Sequence, residues 1–209
     1  HTAQPYVSIP GDPLQARIYT LSNGFRLFLS VNKKEPRVYT HIVVRAGSKQ
    51  DPADTTGLAH YMEHMLFKGT SRIGAVDWEQ EKILLEKIAQ CYEAHRHAKD
   101  EAERRRIYAE IDRLSFEAAR LVAPSEYDKL AGAIGAKATN AYTWVEQTVY
   151  INDIPSNEIE RWMRLESERF RMMALRLFHT ELETVYEEFN INQDRDFRKV
   201  NSALYEALF

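Results

Sequence analysis

The 209 residues carry 28 Lys and Arg against 31 Asp and Glu, a formal net charge of −3 at pH 7, so a polyanion meets no overall attractive field and nucleic acid is set aside as a partner. A content of 44% hydrophobic and 11% aromatic residues excludes intrinsic disorder, and no apolar run approaches the roughly 18 residues of a membrane-spanning helix. The single cysteine, Cys91, excludes an internal disulfide and a multi-cysteine zinc site.

Residues 1–15, with three prolines, read as an irregular lead-in. Arg17–Leu21 and Phe25–Ser30 flank Ser22-Asn23-Gly24, and Asn-Gly between two apolar runs predicts a tight β-hairpin. Val38–Ala46 alternates with period two and predicts a third strand. Thr56–Phe67 places Leu58, Met62 and Met65 at helical spacing, with Thr55 or Thr56 able to cap the start. Residues 78–121 are highly charged and free of Pro and Gly. Their apolar positions (Leu84, Ile88, Cys91, His95, Ala98, then Ile107, Ile111, Leu114, Ala118, Leu121) follow a heptad-type seam, which predicts an antiparallel helical hairpin inserted in the domain and ended by Pro124. Cys91 falls on that seam as a packed thiol, and Arg104-Arg105-Arg106, set among acidic residues, reads as a solvated face. Lys137–Thr143 and Gln147–Ile154 predict two further strands. Asn157 with Glu160 predicts the opening of a helix through Leu177, and a last helix is predicted from about Thr180 to Ile191. The fold class expected is α+β: an antiparallel-rich sheet with helices packed on one face, plus the inserted hairpin at about 78–121, in a single domain over 1–209.

His60-Tyr61-Met62-Glu63-His64 lies within the first predicted helix. Residues i and i+4 share a helical face, so the two imidazoles can meet at one Zn²⁺, and Glu63 can reach water on that metal. The order H-x-x-E-H reverses the common H-E-x-x-H but presents the same pair of ligands and adjacent base. A catalytic zinc needs a third protein ligand. Candidates are Glu181, Glu183, Glu187 and Glu188 in the last helix, of which Glu181 and Glu188 share a face. His41 stands alone and reads as structural.

His60-Tyr-Met-Glu-His64 followed by Met65-Leu-Phe-Lys-Gly-Thr70 resembles the inverted-motif zinc peptidases of the pitrilysin/insulinase and mitochondrial-processing-peptidase group. The likeness extends to Leu21-Ser-Asn-Gly24, Ala46-Gly-Ser48, Gly57-Leu-Ala, Thr139-Asn-Ala-Tyr-Thr143 and Glu146-Gln-Thr-Val-Tyr150. The resemblance implies the N-terminal catalytic domain of a zinc endopeptidase acting on peptides or unfolded polypeptide. His60, His64 and Glu188 would bind one Zn²⁺ per chain, Glu181 would orient a ligand, and Glu63 would take the proton of the zinc-bound water. Asn140, Ala141 and Tyr142 would form the edge strand along which substrate adds. Glu188 stands farther from His64 than the family's usual spacing, by close to the length of the 78–121 hairpin, and this leaves Glu187 as its competitor. The resemblance also implies a second homologous half or subunit closing a chamber, without which the piece alone would cleave poorly. The alternative is a non-catalytic scaffold or partner subunit of the same fold. The missing initiator Met and the helix-like ending at Tyr205–Phe209 suggest a processed or excised piece, an exported or periplasmic protein being favoured over a cytoplasmic one.

Overall fold

The computed structural model describes residues 5–193 and 196–208, and the chain divides into two compact units, up to Val38 and from Tyr39 onward. In the first unit β1 (Val7–Ser8), β2 (Arg17–Thr20) and β3 (Arg26–Leu29) form an antiparallel sheet in that order. The β2–β3 turn is the Asn-Gly hairpin the sequence predicts. Gly24 takes φ 84°, a left-handed conformation that glycine adopts without steric cost, and the Asn23 side chain accepts from Phe25 N at 3.1 Å. Two-residue β1 is too short to show any alternation, and the sequence gives no sign of it.

The second sheet has the order β4-β6-β5, from β4 (Arg37–Val44), β5 (Lys137–Thr143) and β6 (Thr148–Pro155). The architecture is α+β, as expected, with the strands divided between two small sheets. Strands β1 to β3 are joined by short connections and pair locally, whereas β4 reaches a partner more than a hundred residues on, Thr40 Oγ1 donating to Asn152 O at 2.9 Å. The order leaves β5 on an edge. Its pairing with β6 carries a register shift between Lys137 and Asn140, where Ala138 sits at φ 49°, the left-handed residue of a β-bulge that re-aims the strand.

The motif helix α1 (Leu58–Met65) packs against β5 and β6 on one side and against α6 (Phe178–Gln193) on the other. Its buried residues are Tyr61, Glu63 and Met65, while Leu58 is exposed, so the buried face expected from Leu58, Met62 and Met65 is corrected. Covering from two sides replaces the single apolar stripe. Neither Thr55 nor Thr56 caps the helix; its N-cap is Gly57 at φ 92°. The first turn is held instead by Asp51, whose two carboxylate oxygens accept from Gly57 N at 2.7 Å and Ala59 N at 2.8 Å, with its negative charge at the positive end of the helix. Asp51→Ala is expected to cost about 1 kcal/mol, read as a lower urea midpoint; an unchanged midpoint would refute this capping role.

Helices α2 (Trp78–His97) and α3 (Glu101–Ala119) reproduce the predicted hairpin. Asp77 and Asp100 cap them, accepting from Gln80 N and Glu103 N, and Ile88, Ile111, Leu114 and Ala118 form the seam, with Cys91 packed against it. Helix α4 (Glu126–Ala133) was not expected; directly after Pro124 its one buried pair, Tyr127 and Ala131, is too short a pattern to stand out. Helix α5 (Ile159–Arg171) ends short of the predicted Leu177. There the chain turns away to bond the loop after α1, Ala174 N donating to Gly69 O at 3.1 Å. Asn157 does not cap α5, its side chain donating to Glu158 instead. Helix α7 (Asp196–Leu208) completes the described chain. Among the described residues no helix is long and apolar enough to cross a membrane.

Candidate metal centre

Helical geometry stacks His60 and His64 on one face of α1, their Nε2 atoms 3.1 Å apart and their rings perpendicular. Glu188 comes from α6, its Oε2 3.6 Å from each of those nitrogens. In the plane of the three atoms, the point equidistant from them lies about 2.0 Å from each, the length of a Zn–N or Zn–O bond. Among the described residues His60, His64 and Glu188 form the one such cluster able to hold a metal ion. The donor set fits zinc: two imidazoles and a carboxylate, with the partly exposed His60 and Glu188 leaving one side open. Glu187 and Glu183 are exposed on other faces of α6 and are not in the cluster.

Glu181 lies one heptad before Glu188 and is buried. Its Oε1 sits 2.9 Å from His64 Nδ1 and its Oε2 2.5 Å from Lys68 Nζ. Burial alone would raise the Glu181 carboxyl, but the bonds from Lys68 and His64 outweigh burial and hold it below its ordinary value. As a carboxylate it accepts the Nδ1 proton, which fixes the His64 tautomer whose Nε2 lone pair faces His60 and Glu188.

Glu63 projects from α1 toward β5 and is 8% exposed. Thr143 Oγ1 donates to its Oε2 at 2.6 Å, and Thr148, whose own hydroxyl donates to Ala46 O at 2.8 Å, lies 3.3 Å beyond. One carboxylate oxygen is thereby anchored, and the other has no hydrogen bond among the described residues. His60, Glu63, His64, Glu181 and Glu188 line one cavity of about 450 Å³ with Asn140 and Ala141 of β5 on its wall. Tyr142, next along the strand and 41% exposed, does not line it. Every residue singled out in the motif and the last helix is thus brought to one place except Glu183 and Glu187, and His41 meets Tyr39 edge-on elsewhere. Thr143 and Lys68 were missed. Thr143 shares its strand face with Ala141, a period-two hint; Lys68 lies past the end of α1, where helical spacing no longer applies.

The fold is thus an α+β domain with a bipartite His60–His64–Glu188 cluster beside the β5 edge. Residues 27–86 match the family model of insulinase, peptidase family M16, and the resemblance to the pitrilysin/insulinase group is borne out. The chain is 37% identical over 71 residues to the Arabidopsis thaliana protein named "Probable mitochondrial-processing peptidase subunit beta", covering 33% of this chain and 13% of that protein. It is 38% identical over 69 residues to "Probable zinc protease PqqL" of Haemophilus influenzae, covering 32% of this chain and 7% of that one. The first half of the periplasmic protease PqqL from Escherichia coli superposes with a TM-score of 0.61 at 18% identity, over 93% of this chain and 33% of that chain. The chain therefore matches only a small part of its curated relatives and spans a third of that structure.

Proposed function

We propose that residues 1–209 form the N-terminal metal-bearing domain of a zinc-dependent endopeptidase, with the 78–121 hairpin as an insertion. The observation that carries the reading is the convergence of His60, His64 and Glu188 around a point at zinc-bond distance, with Glu63 beside it and the β5 edge above. Zinc held there supplies a Lewis acid for the scissile carbonyl and lowers the pKa of water. His60, His64 and Glu188 hold the ion, and Glu181 keeps the Nδ1 proton on His64. Glu63, with Oε2 anchored by Thr143, presents Oε1 to take a proton from water and return it to the leaving amine. The backbone of Asn140, Ala141 and Tyr142 receives an extended peptide by strand addition, a mode that tolerates many side-chain sequences.

Relatives named as zinc proteases and processing peptidases support this activity, and the first half of a longer protease as a fold neighbour supports a second half closing a chamber over peptide or unfolded substrate. That neighbour is periplasmic, which supports an exported protein. A non-catalytic subunit of the same fold would have no use for a carboxylate buried and anchored beside the metal cluster. The test is zinc stoichiometry of the folded chain beside His64→Ala and Glu188→Ala. One zinc in the parent and an affinity at least about 10-fold weaker in both variants is expected. A folded parent that binds none overturns the reading, and normal binding by Glu188→Ala alone displaces the third ligand.

A further inference from the structure

The cluster is bipartite. His60 and His64 are fixed to each other by the geometry of α1, but Glu188 arrives on α6, so a three-ligand site exists only while α6 keeps its position against α1. Val185 packs against Tyr61 and Met65, and Glu181 bonds His64 and Lys68, along the helix; a separate set of contacts holds its first residues. Leu177, immediately before the helix, sits at φ 56°, a left-handed conformation that a leucine holds only when its surroundings impose it. Next, the Phe178 carbonyl accepts from the Tyr61 hydroxyl of α1. The Phe178 ring meets Tyr61 edge-on at 4.9 Å and Tyr92 of α2 at 5.6 Å. His179, 7% exposed, is then gripped through both ring nitrogens: Nδ1 lies 2.6 Å from the Tyr92 hydroxyl and Nε2 lies 2.6 Å from Asp112 Oδ1 of α3.

Both arms of the hairpin therefore hold a single imidazole. The carboxylate selects the Nε2–H tautomer and leaves Nδ1 to accept the Tyr92 proton, so each bond fixes the geometry of the other. Surface pairs elsewhere on the hairpin, such as Arg113 with Glu110 and Glu117, stay within one helix and tie it to nothing. The Asp112–His179–Tyr92 relay is the polar bridge among the described residues from both hairpin arms to the helix bearing Glu181 and Glu188. Glu188 stands about 14 Å farther along the axis, and a small tilt at the clamped end displaces its carboxylate from the ligand triangle.

We infer that the hairpin acts as a strut for the metal site, with His179 as its positioning residue: Asp112 and Tyr92 hold the start of α6 in the register that brings Glu188 to the two histidines. The inference rests on the metal reading above. Asp112→Asn and Tyr92→Phe each weaken or remove one bond without opening a cavity, and Arg113→Gln, on the same helix, is the control.

Zinc affinity is measured by chelator competition on the folded chain, with hydrogen exchange of α6 amides followed in the metal-free form. A loss of about 10-fold in zinc affinity is expected for each clamp variant, the scale seen when a group orienting a ligand is removed. Faster exchange confined to α6 should accompany it, with Arg113→Gln matching the parent. Lower thermal stability at unchanged zinc affinity marks an ordinary packing contact and overturns the inference. Parental affinity in both variants overturns it too, while leaving the metal site standing. A parent that binds no zinc overturns the metal reading instead, and the exchange data then decide the clamp alone: α6 protection unchanged in both variants refutes it.

Discussion

On the proposed reading, Glu63→Gln in the full-length protein is expected to lower kcat for peptide hydrolysis by about 10²- to 10⁴-fold, the usual contribution of a positioned general base, while zinc content stays at the parental level. The separation follows from the geometry. Glu63 is not a member of the His60–His64–Glu188 triangle; it faces β5, bonded to Thr143 at 2.6 Å. Glutamine keeps the size of the side chain and can still accept from Thr143 through its amide oxygen, but the remaining NH₂ has no basic lone pair for a water proton. Loss of turnover should therefore come without loss of fold or metal. His64→Ala and Glu188→Ala should lose both metal and turnover, which makes the contrast between the two kinds of variant the informative result. Turnover by Glu63→Gln within a factor of a few of the parent would show that the proton goes elsewhere, and zinc loss in that variant would show that Glu63 supports the ligands. Substrate KM should move little in Glu63→Gln, because the proposed strand addition places extended peptide on the β5 backbone and not on this carboxylate.

The motif was readable because its logic is local. Residues four apart on one helix must share a face, and Glu181 and Glu188, one heptad apart, must do so again on another. The hairpin was readable for the same reason: Ile88, Ile111, Leu114 and Ala118 repeat a seam that the structure closes. Contacts made by tertiary pairing left no such trace. Thr143 finds Glu63 only because β5 runs beside α1, and Lys68 finds Glu181 only because the chain has left the helix by then. Nor does a run such as Glu168-Arg-Phe-Arg171 announce that Arg169 is 2% exposed, stacked against the rings of Tyr127 and Tyr150 at 4.4 and 4.8 Å and paired with Glu166. Arginine usually signals surface, and the Glu166 carboxylate together with the surrounding aromatic faces makes its burial tolerable.

Arg176→Ala is expected to destabilise the chain by about 3–5 kcal/mol, the cost of stranding a buried charge by removing its partner, measured by urea unfolding. Arg176 and Glu81 are both fully buried. The guanidinium donates from Nε and Nη2 to the two Glu81 oxygens at 2.6 and 2.7 Å. It also donates from Nη1 to Lys68 O and Ile73 O at 3.1 and 2.8 Å, and from Nη2 to Thr70 O at 3.0 Å. All five donors are used. Truncation strands the buried Glu81 carboxylate and removes a donor from the carbonyls of Lys68, Thr70 and Ile73, of which Ile73 O keeps its bond from Thr70 N at 2.8 Å. Arg176→Lys should recover little, since a single ammonium cannot span the carboxylate and three carbonyls at once.

Arg176→Met with Glu81→Met should do better than either single change, because the stranded charge disappears, but it should fall short of the parent. The shortfall has a specific origin. The loop from Lys68 to Gly74 directly follows the motif helix and turns through Gly69 at φ 106° and Gly74 at φ 87°. A Cβ on Gly69 would stand 2.1 Å from Ile73 O, so the turn is too tight for any side chain there. A loop folded that closely on itself cannot direct all its carbonyls into a strand ladder, and one buried guanidinium supplies the missing donors. A loss below about 1 kcal/mol in Arg176→Ala, the range of exposed pairs, would mean that the loop re-forms its bonds with solvent. Lys68, which opens this loop, would then owe its place beside Glu181 to something other than Arg176.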